Sequence, residues 1–126
     1  MVLDASAVLA VLLSETGSDR IVPHLGNAHA GTINLSESMT KLIEHRVSAE
    51  EAEQQILRLR LAVHDFDFEQ ARCTAALRLP TKRFGLSLGD RACLALAQHL
   101  DMPILTSDRR MAEAKVVLGI DIRMIR

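Results

Sequence analysis

Residues 1–13, MVLDASAVLAVLL, decide the fold of this 126-residue chain. Val2–Leu3 is an apolar pair typical of a short buried strand, and Asp4 ends it. Residues 5–15 then have the composition of a helix that stops near Gly17. A strand that runs directly into a helix is the opening of an α/β domain. Asp4 therefore lies beyond the carboxyl end of a strand, where such folds gather their functional groups.

The rest of the chain repeats this alternation of short apolar runs and helical patterns. Four more strands are predicted, the last of them at a sheet edge, at 29–33, 59–66, 104–105 and 120–125. Helices are predicted at 34–46, from Ser48 to about 61, at 67–79, at 88–100 and as a turn after Asp108. A short helix is predicted after Ser18–Asp19, and an exposed basic loop at 80–88. The sequence predicts an α/β domain with a mainly parallel sheet, and one domain over residues 1–126.

Composition excludes several classes of function. Only 2% of residues are aromatic, which disfavours RNA binding by base stacking, and the net charge of −1 disfavours a basic nucleic-acid coat. The apolar run 7–13 is too short for a membrane span, and no secretion signal precedes it. Cys73 and Cys93 lack metal-site spacing and are expected to be buried thiols, which fits a reducing cytoplasm.

Four acidic residues carry most of the information about function. Asp4 and Asp108 each follow an apolar strand, Glu37 lies in TINLSES, and Asp90 lies in LSLGDRACLALA. Each has a structural explanation as a helix cap. In particular, Ser87-x-x-Asp90 and Asn34-x-x-Glu37 both have the spacing of a capping box. Asp4 and Asp108 would cap the helices that follow them.

Taken together, the four acids predict a metal site. A compact α/β fold would bring them close together, and two unit charges about 4 Å apart repel by roughly 4 kcal/mol at an effective dielectric near 20. A hard divalent cation, Mg²⁺ or Mn²⁺, removes this repulsion because it prefers oxygen ligands. Such an ion activates water for attack on a phosphodiester, and no covalent nucleophile is then needed.

Basic residues near the acids in the sequence could hold a nucleic-acid backbone. They are equally explained as solvated surface charges: Lys82, Arg83, Arg91, Arg109 and Arg110. The chain has no GxxxxGK[ST] loop, so an NTPase is disfavoured, and the first strand lacks the second Asp of the DxD phosphatases.

The ordered strings MVLDASAVLAVLL, NLSE, LSLGDRACLALA and PILTSDRRM closely resemble the PIN-domain ribonucleases of the VapC toxin type. The resemblance covers essentially the whole chain. It implies a three-layer α/β/α fold, Mg²⁺- or Mn²⁺-dependent cleavage of RNA, and a homodimer. By position, Asp4, Glu37, Asp90 and Asp108 match the catalytic, metal-binding acids of the family. Ser6 and Thr106 match supporting polar positions, although a plain helix residue and a plain strand residue are equally compatible with them. Met111 stands where family members often carry an aromatic residue.

The resemblance also implies a partner, a small VapB-type antitoxin that occupies the groove and inhibits the site. The apolar residues of a helical hairpin at 34–61 could clamp such a segment, but their spacing favours ordinary core packing. The leading hypothesis is therefore a metal-dependent endoribonuclease that acts as the toxin of a toxin–antitoxin pair. The alternatives are a housekeeping PIN nuclease in RNA processing, or an inactive PIN-like module that binds a peptide or RNA.

Overall fold

The computed structural model describes all 126 residues. Its five strands are β1 (Val2–Leu3), β2 (His29–Gly31), β3 (Ala62–His64), β4 (Ile104–Thr106) and β5 (Ile122–Met124). Its eight helices are α1 (Ala5–Leu12), α2 (Thr32–Glu44), α3 (Ala49–Arg58), α4 (Phe68–Ala76), α5 (Arg78–Thr81), α6 (Leu88–Leu100), α7 (Arg109–Glu113) and α8 (Lys115–Leu118). Short 3₁₀ helices cover Ser18–Arg20, Val22–Asn27 and Lys82–Phe84. All five predicted strands are present. Strand β1 has the predicted bounds, β2, β3 and β5 are shorter than predicted, and β4 extends one residue further, to Thr106.

All strand pairs are parallel, in the order β3-β2-β1-β4-β5. The shortest strand, β1, lies at the centre because Val2 pairs with His29 on one side and Ile104 on the other. Strand β5 is an edge strand, as the sequence predicted. Since parallel strands end at the same edge of a sheet, the residues that follow β1 and β4 lie side by side at that edge.

Helices cover both faces of the sheet, and the alternation of side chains along the strands produces two cores. Val2 and Ile104 point to the face covered by α6, whose buried residues include Cys93 and Leu94. The next residues, Leu3 and Leu105, point to the opposite face and pack with α1, α2 and α3. Successive strand residues thus face opposite sides of the sheet, each side covered by helices, which confirms the three-layer α/β/α arrangement.

Two local predictions were wrong. The segment 80–88 was predicted to be an exposed basic loop; Lys82 and Arg83 are exposed, but α5 and a 3₁₀ turn occupy Arg78–Phe84. Pro80 lies in the first turn of α5, where its missing N–H is not needed by the helix. Asn34 does not cap a helix, because α2 begins at Thr32 with Gly31 as its N-cap. The Asn34-x-x-Glu37 spacing therefore has another cause.

The α2–α3 hairpin is present, and most of its apolar residues are core. Leu42, Ala52 and Ile56 are buried, whereas Ile43 and Leu57 are about half exposed. None of the helices combines the length and apolar character needed to cross a lipid bilayer. Cys93 is fully buried and Cys73 is half-buried, close to the sequence-based expectation.

Candidate metal centre

The four predicted acids line one open cleft of about 220 Å³ at the carboxyl edge of the sheet. Asp4 follows β1 and Asp108 follows β4, so the central pair of parallel strands delivers both of them. Glu37 comes from α2 and Asp90 from the first turn of α6, two helices that pack against each other. The lining residues are Asp4, Ala5, Ser6, Leu9, Asn34, Glu37, Lys41, Asp90 and Asp108.

Asp4 is the most buried of the four, with 4% of its surface exposed. Its Oδ1 accepts hydrogen bonds from Ser6 Oγ at 2.6 Å and Ala7 N at 2.9 Å, and its Oδ2 accepts one from Thr106 Oγ1 at 2.5 Å. Burial raises the pKa of Asp4 from 3.8 to about 6, the hydrogen bonds oppose the rise, and the charge of Asp90 adds to it. The Asp4 carboxyl is thus fixed in place and poorly solvated.

Ser6 and Thr106 connect Asp4 to the loop that carries Asp108. Thr106 Oγ1 accepts a hydrogen bond from Asp108 N at 2.9 Å, and Ser6 Oγ accepts one from Ser107 N at 2.9 Å. The two hydroxyl oxygens are 3.3 Å apart. Both side chains therefore orient the Asp4 carboxylate and the backbone at Ser107 and Asp108.

Asp90 and Asp108 are helix-capping residues as well as cleft residues. Asp90 Oδ2 accepts from Ser87 N at 2.9 Å while Ser87 Oγ accepts from Asp90 N at 3.2 Å, which completes the predicted capping box of α6. Asp108 Oδ1 accepts from Arg110 N at 2.8 Å at the start of α7. Asp4 caps α1 in the same way. Capping uses one carboxylate oxygen of Asp90 and of Asp108, so the second oxygen of each is available to a ligand.

Glu37 is an exposed residue whose carboxyl end lies against α6. Asn34 Nδ2 donates to Glu37 Oε1 at 3.1 Å. Partial burial of the carboxyl raises the pKa of Glu37, the Asn34 hydrogen bond lowers it, and the charge of Asp90 raises it again. Both Asp4 and Glu37 thus feel the charge of Asp90, as expected for acids that face one another.

The donor set fits a hard cation by its chemistry. It consists of four carboxylates, and Lys41 is the only cation in the lining. Burial raises the pKa of Asp4 and of Glu37, and the charge of Asp90 adds to both shifts. The carboxylate oxygens are nevertheless spread apart, since no three His, Cys, Asp or Glu side chains form a group tight enough to hold a metal ion as they stand. Coordination by three or more of these acids would require their side chains to move closer together.

The five basic residues predicted to contact a nucleic-acid backbone do not form one group. Lys82, Arg83 and Arg109 lie on an exposed surface that also includes Lys115, which the sequence had not suggested. Arg110 lies beside the cleft, with its Nε 3.8 Å from Asp108 Oδ1.

Arg91 points elsewhere. It turns toward α4, where its Nη1 donates to Thr74 O at 3.2 Å and its Nε is buried without a partner. Its role in the structure is to join α6 to α4.

Two polar residues of the cleft lining, Lys41 and Asn34, were not predicted to belong to the site, nor was Gly89, which contacts Glu37. Lys41 lies one helical turn after Glu37 on α2 and pairs with Glu44 at 3.7 Å, so its position could have been found from the i, i+4 spacing. Asn34 was interpreted as a helix cap, and no role was predicted for Gly89. Only the packing of α2 on α6 reveals that these two contact Glu37.

Comparison with known families and structures gives a consistent assignment of the fold. The PIN domain profile matches residues 1–117. A DNA-bound VapBC complex from Salmonella typhimurium has a similar chain, with a TM-score of 0.76, 21% identity, and 99% of this chain and 97% of that chain covered. VapBC2 of Rickettsia felis, bound to a DNA fragment from its promoter, has a TM-score of 0.72 and 14% identity, with 98% of this chain and 96% of that chain covered.

A toxin–antitoxin complex from Klebsiella pneumoniae gives a TM-score of 0.65 at 16% identity, and 85% of each chain is covered. At these identities the likeness concerns the fold. No curated protein matches the chain significantly.

Proposed function

The chain belongs to the PIN domain family, and on this basis we propose that it is a metal-dependent endoribonuclease acting as the toxin of a toxin–antitoxin pair. The nuclease domain spans residues 1–126. The observation that carries the proposal is the cleft that Asp4, Glu37, Asp90 and Asp108 line together. Capping alone would not explain it, because Glu37 caps no helix and still lines the cleft, where the charge of Asp90 acts on its carboxyl group.

In the proposed enzyme, the four acids hold Mg²⁺ or Mn²⁺. A bound divalent cation supplies a water of lowered pKa and stabilises the charge that develops on a phosphodiester. The protein's own contribution is to orient the oxygen ligands. Ser6 and Thr106 fix both oxygens of Asp4, the capping box fixes Asp90, and the α7 backbone fixes Asp108. No serine, cysteine or histidine nucleophile is required.

The RNA backbone is proposed to cross from the cleft to the exposed basic surface beyond Asp108. Arg110 lies at the edge of the cleft, and Lys82, Arg83, Arg109 and Lys115 lie on the surface next to it. The Arg83 guanidinium lies 4.8 Å from the centre of the Phe84 ring, which restricts its motion. Arg91 is left out of this path because it is bound to α4.

The partner proposal rests on the solved structures that the fold resembles, two of which are VapBC complexes. We propose a small VapB-type antitoxin for this chain as well, seated along α2 and α3 near the cleft. Ile43 and Leu57 are the exposed apolar residues of that hairpin and could contact it. A homodimer is proposed too. Phe68 and Leu79, which are 88% and 81% exposed, provide apolar surface for it.

The proposed activity is tested with purified protein separated from any inhibitor. It is expected to cut a structured RNA in Mg²⁺ or Mn²⁺, to stop on addition of EDTA, and to resume when excess Mn²⁺ is restored. Growth arrest on expression, reversed by the product of a neighbouring gene, distinguishes a toxin from a housekeeping nuclease. Absence of Mn²⁺ binding in the millimolar range by calorimetry would instead favour the inactive binding module.

Asp90→Asn distinguishes a metal ligand from a cap. Asparagine keeps an oxygen for Ser87 N, so the metal-free protein should change in stability by no more than about 1 kcal/mol, the typical contribution of a charge at a helix terminus. Affinity for Mn²⁺, measured by calorimetry, should fall by at least about 10-fold, the lower end of the effect seen for residues around metal sites.

Asp67→Asn is the matched control. Asp67 caps α4 through Gln70 N at 2.8 Å and lies outside the cleft. Its substitution removes the same charge from a helix terminus and should leave Mn²⁺ affinity unchanged. Equal Mn²⁺ affinity in wild type and Asp90→Asn would mean that Asp90 is a cap and nothing more.

A further inference from the structure

Asn34 is a buried amide that joins α2 to α6. It is 2% exposed, and its Nδ2 donates to Glu37 Oε1 at 3.1 Å and to the Gly89 carbonyl oxygen at 3.1 Å. One NH₂ group therefore holds both the Glu37 side chain and the backbone of the α6 first turn. Since an amide carries no charge, it can hold the carboxylate without neutralising it.

Gly89 faces the same carboxylate from the other side. A Cβ placed on Gly89 would lie 2.5 Å from the Glu37 carboxyl carbon and 2.6 Å from Oε2, well inside van der Waals contact. The Glu37 carboxyl group thus occupies the space of the side chain that Gly89 lacks. The backbone of α6 gives no other reason for glycine, because Gly89 does not have a positive φ angle.

We propose that Asn34 and Gly89 are positioning residues that fix the Glu37 carboxylate in the acidic cleft. The inference rests on the proposed function, in which Glu37 is a metal ligand. A free glutamate side chain has three rotatable bonds and would spread over many conformers on an exposed helix face. The amide limits the position of Oε1, and the missing Cβ opens the space in which the carboxyl group lies against α6.

The same contacts give a physical reason for a glycine in the first turn of α6, the most buried helix. Glycine is unfavourable within a helix relative to alanine. Seven residues of α6, including Gly89, are buried, so this helix is central to the core. A destabilising residue at such a position is understandable if its absent side chain makes room for Glu37.

A double-mutant cycle of Gly89→Ala with Glu37→Ala tests the proposal. Gly89→Ala alone should weaken Mn²⁺ binding by about 10-fold or more, in the range typical of residues that orient metal ligands. In the Glu37→Ala background it should cause no further loss. In that background it should also raise the Tm of the metal-free protein, because alanine then replaces glycine without a clash. Affinity is measured by calorimetry and Tm by circular dichroism.

Gly26→Ala is the matched control, since a Cβ there meets nothing within 4 Å and Gly26 lies outside the cleft. It should leave Mn²⁺ affinity unchanged. If Gly89→Ala raises the metal-free Tm equally in the presence and absence of Glu37, the carboxylate does not need that space and the proposal fails.

Asn34→Ala completes the test. It should lower the metal-free Tm in both backgrounds, because the Gly89 carbonyl loses its hydrogen bond from Asn34, but should weaken Mn²⁺ binding only when Glu37 is present. A purely structural Asn34 would lower Tm without changing Mn²⁺ affinity, which would overturn its positioning role. If Glu37→Ala itself leaves Mn²⁺ affinity intact, the assignment of Glu37 as a ligand is wrong, and the failure lies in the proposed function.

Discussion

Asp4→Asn is expected to abolish RNA cleavage and at the same time to stabilise the metal-free protein. The loss of activity should exceed about 100-fold, the upper range for residues that merely surround a metal site, because Asp4 is the most buried of the proposed ligands. Asparagine retains Oδ1 as the acceptor for Ser6 and Ala7, so α1 keeps its cap. Cleavage of a labelled RNA and thermal unfolding in EDTA measure the two effects.

The gain in stability follows from the raised pKa of Asp4. A carboxyl whose pKa rises from 3.8 to about 6 on folding binds more protons in the folded than in the unfolded state over that interval. The free energy of unfolding of wild type should therefore decrease as pH rises from about 4 to about 6. The shift corresponds to about 3 kcal/mol. Asp4→Asn lacks this penalty, so its advantage should be small at pH 4 and fully developed above pH 6.

Two comparisons make this prediction sharp. Asp67→Asn alters a solvent-exposed cap and should not produce a pH-dependent gain. Mn²⁺ should raise the Tm of wild type at pH 7.5 and have much less effect on Asp4→Asn, because a ligand that binds only the folded state stabilises it. If Asp4→Asn is no more stable than wild type at pH 7.5 in EDTA, burial of the charged Asp4 carboxylate does not destabilise the folded protein.

The positions of Asp4 and Asp108 could be predicted from sequence because they depend on one rule. Both follow apolar strands, and parallel strands end at the same edge of a sheet. That β1 and β4 are direct neighbours was not visible in the sequence, yet any parallel arrangement would have put the two acids on that edge. Asp4 and Asp108 cap the helices that follow them and also line the cleft, since an N-cap position after a strand already faces this edge.

Glu37 and Asp90 could not be placed in this way. They belong to helices, and the packing of α2 on α6 determines where they lie. The family resemblance named Glu37 and Asp90 together with the other two acids. Their positions in space, however, could be learned only from the folded structure. The same contact explains why Asn34 was misread. Its spacing to Glu37 is that of a capping box, but β2 runs directly into α2 and moves the helix start to Thr32.

Arg91 illustrates a prediction that helical geometry could have improved. It directly follows Asp90, and successive residues on a helix point about 100° apart. If Asp90 faces the cleft, Arg91 must face another side, and it meets α4 there. Nearness in sequence to an acidic residue is therefore weak support for a shared site, whereas the i, i+4 pair of Glu37 and Lys41 does share the cleft.

Thr106→Val should have the second large effect, because one buried hydroxyl makes two of the hydrogen bonds on which the cleft depends. Thr106 is fully buried, donates to Asp4 Oδ2 and accepts from Asp108 N. Valine has nearly the same shape and makes neither bond. We expect Mn²⁺ affinity and cleavage to fall by about 10- to 100-fold. Stability should fall as well, by about 1–3 kcal/mol, because Asp108 N is left without its partner.

The pH dependence separates this role from simple packing. The Thr106 hydrogen bond lowers the pKa of Asp4, so its removal should raise that pKa further. Protons then compete with the cation over a wider range, and the acid limb of Mn²⁺ binding should move to higher pH. Thr106→Ser retains the hydroxyl while losing the methyl group. It should restore the pH profile and the affinity even if its Tm stays low, whereas a Thr106 needed only for packing would be replaced better by valine than by serine.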